Sequence, residues 1–419
     1  MSVINVISAI GNNNSLAPLI VRDCGVEIPT KVAMTYYQNK SDPYIAYLGA
    51  REKLTDEYTV SAVWLGGVPL IGKIADYFIK KLGFNPQIGS KLLKEEELQG
   101  AKLNIEKFRE KAPEAVKELE NVIQNTKKYK TALAGKFLAQ TIIPIALMGW
   151  IIPKAIFAWT AKTKSKRDLQ TQNTFIAQNK SEKLEKTNTT NPPSFKGFSS
   201  LADLSNLEKL IITDGGYAVG RIATARKRNE AYDIGIRMAG MMYLNYVFPK
   251  QLEKFLNTIS AKVMNTNIDL DVKLLTDKKF LEAIENNSLE LPKSATPKDL
   301  LEFIDNNPKS MFTQYANKYE KIKMLNNEIR DPRAYVDFEA LANFRNSIEN
   351  FAKTAKSQNS INSELAIKQF AKRAKIVKSA SIIANVLTTS ALLALGLPKL
   401  QFILREKITG SKLEPGIID

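Results

Sequence analysis

The longest apolar stretch without a charge is Ser379–Pro398, with the sequence SASIIANVLTTSALLALGLP. At a rise of about 1.5 Å per residue, a helix of this length matches the roughly 30 Å hydrocarbon core of a bilayer. Its polar members are Ser, Thr and Asn, which a membrane helix accommodates by hydrogen bonding to backbone or to neighbouring helices. The stretch therefore predicts a transmembrane helix, and the alternative is a buried core helix in a large soluble bundle.

A second stretch, Phe137–Pro153, has seventeen residues without a charge. Trp150 suits a membrane interface, and Lys154 can extend its ammonium group towards the lipid headgroups. Pro144 lies inside the stretch and Pro153 ends it, so a kinked or re-entrant segment is as consistent with the pattern as a straight span. Membrane contact is expected in either case.

Two shorter uncharged stretches, Val60–Ile71 and Met238–Pro249, have twelve residues each. Both are too short to span a bilayer, so we expect buried or interfacial helices there. Three apolar stretches are followed by the same dipeptide, at Pro153-Lys154, Pro249-Lys250 and Pro398-Lys399. The recurrence predicts that each helix stops at Pro and the chain turns onto the membrane surface. It indicates either a degenerate internal repeat or coincidence.

Basic residues precede the apolar stretch Ser379–Pro398. They are Lys368, Lys372, Arg373, Lys375 and Lys378. On a helix, several of these residues share one face, and an apolar face lies opposite, formed by Ile367, Phe370, Ala371, Ala374 and Val377. The pattern predicts an amphipathic helix over 360–378 that binds anionic lipid at the membrane surface.

Composition excludes several kinds of chemistry. The 419 residues contain no His and one Cys, Cys24, so His-dependent catalysis, thiolate metal clusters and intrachain disulfides are excluded. We expect no cofactor, no metal and no enzymatic activity, because no catalytic motif is present. The net charge of +17 permits nucleic-acid binding, but no recognition motif supports it. No basic segment precedes the first apolar residues, so a secretory signal peptide is not expected. The expected location is the cytoplasmic face of a membrane.

A heptad-like seam extends over residues 98–122. Its members are Leu98, Ala101, Ile105, Phe108, Ala112, Ala115, Leu119 and Val122, spaced alternately by three and four residues. This spacing is typical of a coiled coil or a tightly packed helical hairpin. Pro113 interrupts the pattern, which favours two helices in succession. The seam packs within one chain or mediates self-association.

A glycine-rich segment, Thr213–Arg221, precedes several arginines. A turn here at a helix N-terminus would let Gly215, Gly216, Gly220, Arg221 and Arg226 bind phosphate. The segment lacks the Gly-Lys-Ser/Thr of a Walker A loop, and the alternative is a helix break with glycines for close helix packing.

Acidic residues follow the glycine-rich segment at Glu230 and Asp233. Two acids three residues apart could act as an acid–base pair or hold a divalent cation. Asp233 and Arg237 are spaced for an i,i+4 ion pair, which favours simple charge neutralisation next to an apolar stretch.

The fold class is therefore all-α: a multi-helix membrane-associated protein with one or two apolar transmembrane or re-entrant segments and heptad-like helical hairpins. The expected organisation is a helical region at 1–136, a membrane segment at 137–161, a disordered basic linker at 162–197, a helical region at 198–359, the amphipathic helix at 360–378, a membrane helix at 379–404 and a tail at 405–419. The expected function is structural or scaffolding, with anionic lipid as partner. Alternatives are a phosphate- or lipid-handling enzyme or transporter using Gly215–Arg228, and a soluble nucleic-acid-binding protein.

Overall fold

A computed structural model describes residues 20–171, 198–265, 268–357, 363–411 and 413. The expected linker at 162–197 lies largely outside these residues, although its first ten residues, 162–171, are helical. The α-helices are α1 (Ile28–Gln38), α2 (Pro43–Ala62), α3 (Val68–Lys81), α4 (Glu95–Phe108), α5 (Pro113–Gln124), α6 (Thr126–Ala146), α7 (Ile152–Thr171), α8 (Asn206–Ala223), α9 (Arg228–Met242), α10 (Phe248–Met264), α11 (Lys278–Glu285), α12 (Pro297–Asn306), α13 (Met311–Lys318), α14 (Phe338–Ser357), α15 (Ser363–Ala391) and α16 (Leu397–Thr409). Short 3₁₀ turns occur at Ser90–Leu93, Phe198–Asp203 and Leu274–Thr276. The all-α class is confirmed.

Strand structure in the described residues is limited to one small hairpin. Its strands are β1 (Met324–Leu325) and β2 (Ile329–Arg330), which pair antiparallel with Leu325 opposite Ile329. Two asparagines of the connecting turn, Asn326 and Asn327, adopt positive φ angles of 49° and 58°. Asn tolerates this left-handed conformation, which both residues adopt at the centre of the turn closed by the bond from the Glu328 N–H to the Leu325 carbonyl.

Five-residue π-helical segments join four pairs of helices into continuous long helices. The segments are Val63–Gly67 between α2 and α3, Leu147–Ile151 between α6 and α7, Tyr243–Val247 between α9 and α10, and Leu392–Gly396 between α15 and α16. A further π-helical segment, Val21–Glu27, precedes α1. Each segment is followed by one residue and then a proline, so the recurrence seen at three Pro-Lys positions extends to five prolines.

The prolines explain the π-helical geometry. Proline has no N–H, and its ring clashes with the carbonyl four residues earlier in an ordinary α-helix. Here the residue before proline donates its N–H to the carbonyl five residues back: Val68 to Val63, and Ile152 to Leu147. The wider turn gives the ring room. The prediction that these helices stop at proline was therefore wrong, because the backbone widens at the proline and the helix continues.

Three helices are long and apolar enough to cross a membrane: Pro43–Lys81, Thr126–Lys164 and Ile367–Thr409. The second and third contain the two apolar stretches recognised in the sequence. The first is a further candidate span, because Val60–Ile71 lies inside a continuous helix that passes through Gly66, Gly67 and Pro69. This property is compatible with membrane association.

The described chain divides into two compact units. The first contains Phe78–Tyr129 and Met241–Leu393, and the second contains Asp23–Tyr77, Lys130–Gly240 and the chain from Ala394. The first unit has a large apolar core built by α11 to α15, with Phe280, Phe312, Phe344, Phe351 and Phe370 all buried in it. Its aromatic rings pack at centroid distances of 5.3–6.3 Å, which is the usual range for stabilising ring pairs.

The heptad-like seam forms a helical hairpin within the first unit. Helices α4 and α5 contact each other, and seven of the eight seam residues are buried, from Ala101 to Val122. Leu98 is partly buried. Since Pro113 occupies the first turn of α5, where a missing N–H costs nothing, it begins the second helix as expected. This packing favours the intrachain interpretation of the seam, and self-association stays a prediction.

Helix α8 packs tightly against the π-helical segment Leu147–Ile151 in the second unit. A Cβ on Gly220 would lie 3.0 Å from the Cα of Gly149 and 2.9 Å from Cδ1 of Trp150. Contacts this short between a Cβ and backbone are not tolerated, so both glycines are required by packing.

We predict opposite effects for two Gly→Ala substitutions on α8. Gly220→Ala introduces the clash with Gly149 and should lower the free energy of unfolding by about 1–3 kcal/mol. Gly215→Ala is the matched control, because nothing lies within 4 Å of its Cβ position. It should raise the free energy of unfolding by about 0.5–1 kcal/mol through reduced backbone entropy. Thermal unfolding of the purified protein in detergent micelles measures both, and equal effects would contradict the packing.

Candidate functional site

Charged side chains from five helices meet inside the second unit, and we call them the charge cluster. Its members are Lys31 on α1; Glu52, Lys53, Asp56 and Glu57 on α2; Arg221 on α8; Arg226 just before α9; Glu230, Asp233 and Arg237 on α9; and Gln401 and Arg405 on α16. Charged residues are rarely buried unless they are paired. The partners of each buried charge therefore determine what the cluster can do.

The first pair joins α2 to α8. Arg221 donates from two guanidinium nitrogens to the two carboxylate oxygens of Asp56, at 3.0 and 2.7 Å. Both side chains are buried, with exposed fractions of 5 % and 7 %. Two parallel N–H···O bonds are the strongest geometry available to an Arg–carboxylate pair, and this geometry offsets much of the desolvation cost.

The second pair joins α9 to α16. Arg405 donates to both carboxylate oxygens of Asp233 at 2.8 Å, and Gln401 donates to the same carboxylate at 2.7 Å. The Arg405 side chain is 1 % exposed and is the largest fully buried side chain in the described residues. The i,i+4 spacing had paired Asp233 with Arg237. That prediction missed Arg405, the stronger partner of Asp233. Arg405 lies on another helix and donates two hydrogen bonds to the Asp233 carboxylate.

Arg226 lies at the turn between α8 and α9. It forms ion pairs with Glu230 at 2.6 Å and with Glu52 at 2.8 Å. Its guanidinium also lies 4.1 Å from the ring centre of Phe157, within the range of a cation–π interaction. Although burial alone would lower the pKa of Arg226, the hydrogen bonds to Glu230 and the charge of Glu52 raise it. Arg226 is therefore a permanent positive charge.

Glu57 is surrounded by three cations. Its carboxylate lies 3.0 Å from Lys53, 3.5 Å from Lys31 and 3.6 Å from Arg237. Burial alone would lower the pKa of Lys31, but the carboxylates of Glu57 and Glu27 outweigh burial and raise it. The pKa of Arg237 is raised in the same way, mainly by Glu57 against the effect of burial. Both cations thus stay protonated at neutral pH.

A cavity of about 40 Å³ lies among Glu52, Asp56, Arg221, Glu230 and Arg237. Its walls carry both signs of charge, and its other lining includes Pro153, Ile156 and Phe157. We call it the mixed-charge cavity. A water needs about 10–15 Å³ of such space and two to four polar partners, so the cavity holds only a few waters. It is too small for an organic substrate.

The glycine-rich segment does not form the expected turn. Gly215, Gly216 and Gly220 lie inside α8, which begins earlier than the segment suggested, at a capping box formed by Ser205 and Glu208. The helix tolerates these glycines because Gly220 contacts Gly149, and a Cβ on Gly216 would clash with the side chain of Ile145. The local conformation on which phosphate binding was argued is therefore absent.

The two arginines of the same prediction do lie together, but with carboxylates as partners. Arg221 is bound to Asp56, and Arg226 to Glu52 and Glu230. Binding of phosphate to them stays a prediction, and it would require breaking these ion pairs.

The basic residues before the last apolar stretch lie on α15. Lys368, Lys372 and Arg373 are exposed, and Lys375 and Lys378 are partly buried. The opposite face does not face lipid, because Ile367, Phe370, Ala371 and Ala374 are buried in the core of the first unit. The expected surface-lying amphipathic helix is wrong in this respect. Its basic face is accessible, and lipid binding by that face stays a prediction.

The sequence patterns singled out Glu230 and Asp233 but not the three acidic residues of α2, Glu52, Asp56 and Glu57, nor Arg405 on α16. Glu52 and Asp56 are spaced i,i+4 on α2, just before an apolar stretch, and Arg405 follows another apolar stretch on α16. Carboxylates on one face of an otherwise apolar helix were the available signal. Their partners are 165 and more residues away in the chain, so no local pattern paired them.

The described residues contain no group of three or more His, Cys, Asp or Glu side chains placed to hold a metal ion. The contacts observed within the cluster are ion pairs and hydrogen bonds. Comparison of the chain with known protein families, curated proteins and solved structures found no match. Any function must be argued from the geometry itself.

We predict that the Asp56–Arg221 pair is coupled. Arg221→Met leaves the buried Asp56 carboxylate unpaired and should lower the free energy of unfolding by about 3–5 kcal/mol. Combining it with Asp56→Leu should recover part of that loss, because no charge then remains buried without a partner. Lys353→Met is the control, since this exposed lysine pairs with Glu349 at the surface, and it should change little. Purely additive effects in thermal unfolding would contradict the coupling.

Proposed function

We propose that the protein is an integral membrane scaffold: apolar helices hold it in the bilayer, and the charge cluster fastens the helices of its second unit together. The observation that carries the proposal is the exposure of the apolar helices. Of the most apolar 18-residue windows in Pro43–Lys81, Thr126–Lys164 and Ile367–Thr409, only 11 %, 33 % and 22 % of residues are buried. A soluble chain would bury such stretches, whereas lipid covers them in a membrane protein.

Individual side chains support the same conclusion. Leu387 lies near the centre of Ser379–Pro398 and is 64 % exposed, and Ile383 one turn earlier is 42 % exposed. Ile142, Trp150 and Ile151 are likewise exposed on the second helix. Contiguous exposed surface of this kind marks membrane or protein contact. The length of the apolar stretches favours contact with a membrane over contact with another protein.

A scaffolding role agrees with the character of the charge cluster. The mixed-charge cavity accommodates only a few waters, and each of the carboxylates Glu52, Asp56, Glu57, Glu230 and Asp233 has a cationic partner. Buried polar networks with satisfied partners hold helices in one arrangement. We therefore assign the cluster to holding the helices in place, and assign no catalysis.

Anionic lipid is the proposed partner, and the cytoplasmic face is the proposed location of the polar regions. Lys368, Lys372 and Arg373 are exposed within eleven residues of the uncharged stretch that begins at Ser379. Basic residues adjacent to a membrane helix attract the anionic lipids of the cytoplasmic leaflet.

A pair of Leu→Lys substitutions tests membrane insertion. Leu387→Lys should cost about 2.5–3.5 kcal/mol of insertion free energy, because it places a charge at the centre of a membrane helix. The retained fraction after an alkaline carbonate wash of the membranes should fall. Leu103→Lys on α4 is the control, since Leu103 is 71 % exposed and belongs to the heptad hairpin. If both variants were retained like the wild type, Leu387 would face water and the proposal would be wrong.

Charge neutralisation tests the lipid partner. Replacing Lys368, Lys372 and Arg373 by Gln in the full chain should weaken binding of phosphatidylglycerol, since each basic residue near an anionic surface contributes about 1 kcal/mol at low salt. The control replaces the exposed lysines Lys278, Lys279 and Lys298 by Gln, which changes the net charge equally. Phosphatidylglycerol retained by the detergent-purified chain is counted in each case. Equal loss in both triple variants would indicate net charge alone and contradict a defined lipid face.

A further inference from the structure

A second cavity in the second unit has walls of one charge sign. It measures about 20 Å³ and is lined by four cations, Lys31, Lys53, Arg237 and Arg405, and no acidic residue lines it. We call it the cationic cavity. Its polar lining is completed by Thr35 and Gln401, and its apolar lining by Leu397, Pro398 and Phe402.

The four cations are buried rather than surface groups. Lys31, Arg237 and Arg405 are 4 %, 8 % and 1 % exposed, and the Lys53 side chain is 12 % exposed. Their acidic partners Glu27, Glu57 and Asp233 form ion pairs with them but are not part of the cavity wall. The wall therefore presents positive charge to whatever occupies the space, in an environment where charge–charge interactions are stronger than in water.

Arg237 supplies an independent sign of an occupant. Its Nε is buried and has no hydrogen-bond acceptor among the described residues, and its guanidinium approaches Glu57 no closer than 3.6 Å. A buried donor without an acceptor is costly, and such donors are rare unless water or an ion meets them. Arg237 lines both the cationic cavity and the mixed-charge cavity, and an occupant of the cationic cavity is one acceptor that can reach it.

We propose that the cationic cavity binds one monovalent, halide-sized anion, with chloride as the physiological candidate. A space of about 20 Å³ is close to what one water or one halide ion needs. A bare halide accepts several N–H and O–H donors at once, which matches a wall of ammonium, guanidinium, amide and hydroxyl groups. In this position the anion binds residues of α1, α2, α9 and α16 together.

The test compares thermal unfolding of the full chain in detergent in sodium chloride and in sodium gluconate at equal ionic strength. Chloride and bromide should raise the midpoint by about 1.5–2 °C when present at ten times the dissociation constant. Gluconate should not, because it is too large for the cavity. An unchanged midpoint in all three salts would overturn the proposal, since water would then fill the space.

Two variants separate specific binding from a general salt effect. Arg237→Gln removes the guanidinium whose Nε has no acceptor, and it should abolish the difference between chloride and gluconate. Arg345→Gln is the control, because Arg345 pairs with Glu349 on α14 in the other unit, and it should keep that difference. A chloride effect that survives Arg237→Gln would place the ion elsewhere and overturn the assignment.

A measurement on the wild-type chain covers the case in which Arg237→Gln does not fold. Crystals grown in bromide should give an anomalous difference peak beside Arg237 and Lys31. Bromide peaks only at the protein surface would overturn the proposal. Since neither experiment depends on a bilayer, the result is independent of the scaffold proposal.

Discussion

The second unit depends on the burial of ions that have to be paired. Removing an Arg and a carboxylate from water costs several kcal/mol per ion, and close, bidentate geometry is needed to recover it. Asp56 with Arg221, and Asp233 with Arg405, both achieve that geometry. A shift of one turn in any participating helix would leave a charge unpaired. The ion pairs therefore fix the relative positions of α2, α8, α9 and α16 more strictly than apolar contacts would.

The prolines impose the second constraint. Five of them follow a π-helical segment, whereas Pro144 lies within the α-helical turns of α6. One additional residue in a turn moves the following side chains by about 100° around the helix axis. A long helix can therefore present one apolar face before the proline and a different one after it. In α3, which follows such a turn, Leu70, Ile74 and Phe78 form an exposed stripe spaced by four residues. A π-helical segment followed by a proline occurs in all four long helices.

Local sequence patterns predicted the helices. What each helix face packs against could be determined only from the structure. Ser379–Pro398 and the seam at 98–122 were recognisable because period and composition determine a helix whatever covers it. The face formed by Ile367, Phe370 and Ala371 has the same pattern whether it packs on lipid or on protein, so its burial in a protein core could not be read from the sequence. Asp56 and Arg221 are 165 residues apart, and no periodicity links them.

The order of charges along the chain explains how a single cluster arises. The charges of α2 and α9 precede the π-helical turns at Val63–Gly67 and Tyr243–Val247, whereas Arg405 follows the turn at Leu392–Gly396. These charged ends meet in the charge cluster. The apolar stretches are then left free of charge, and the polar ends of the helices pair with one another. Exposure of the apolar side chains and burial of the charge cluster are thus two consequences of one arrangement of charge along the helices.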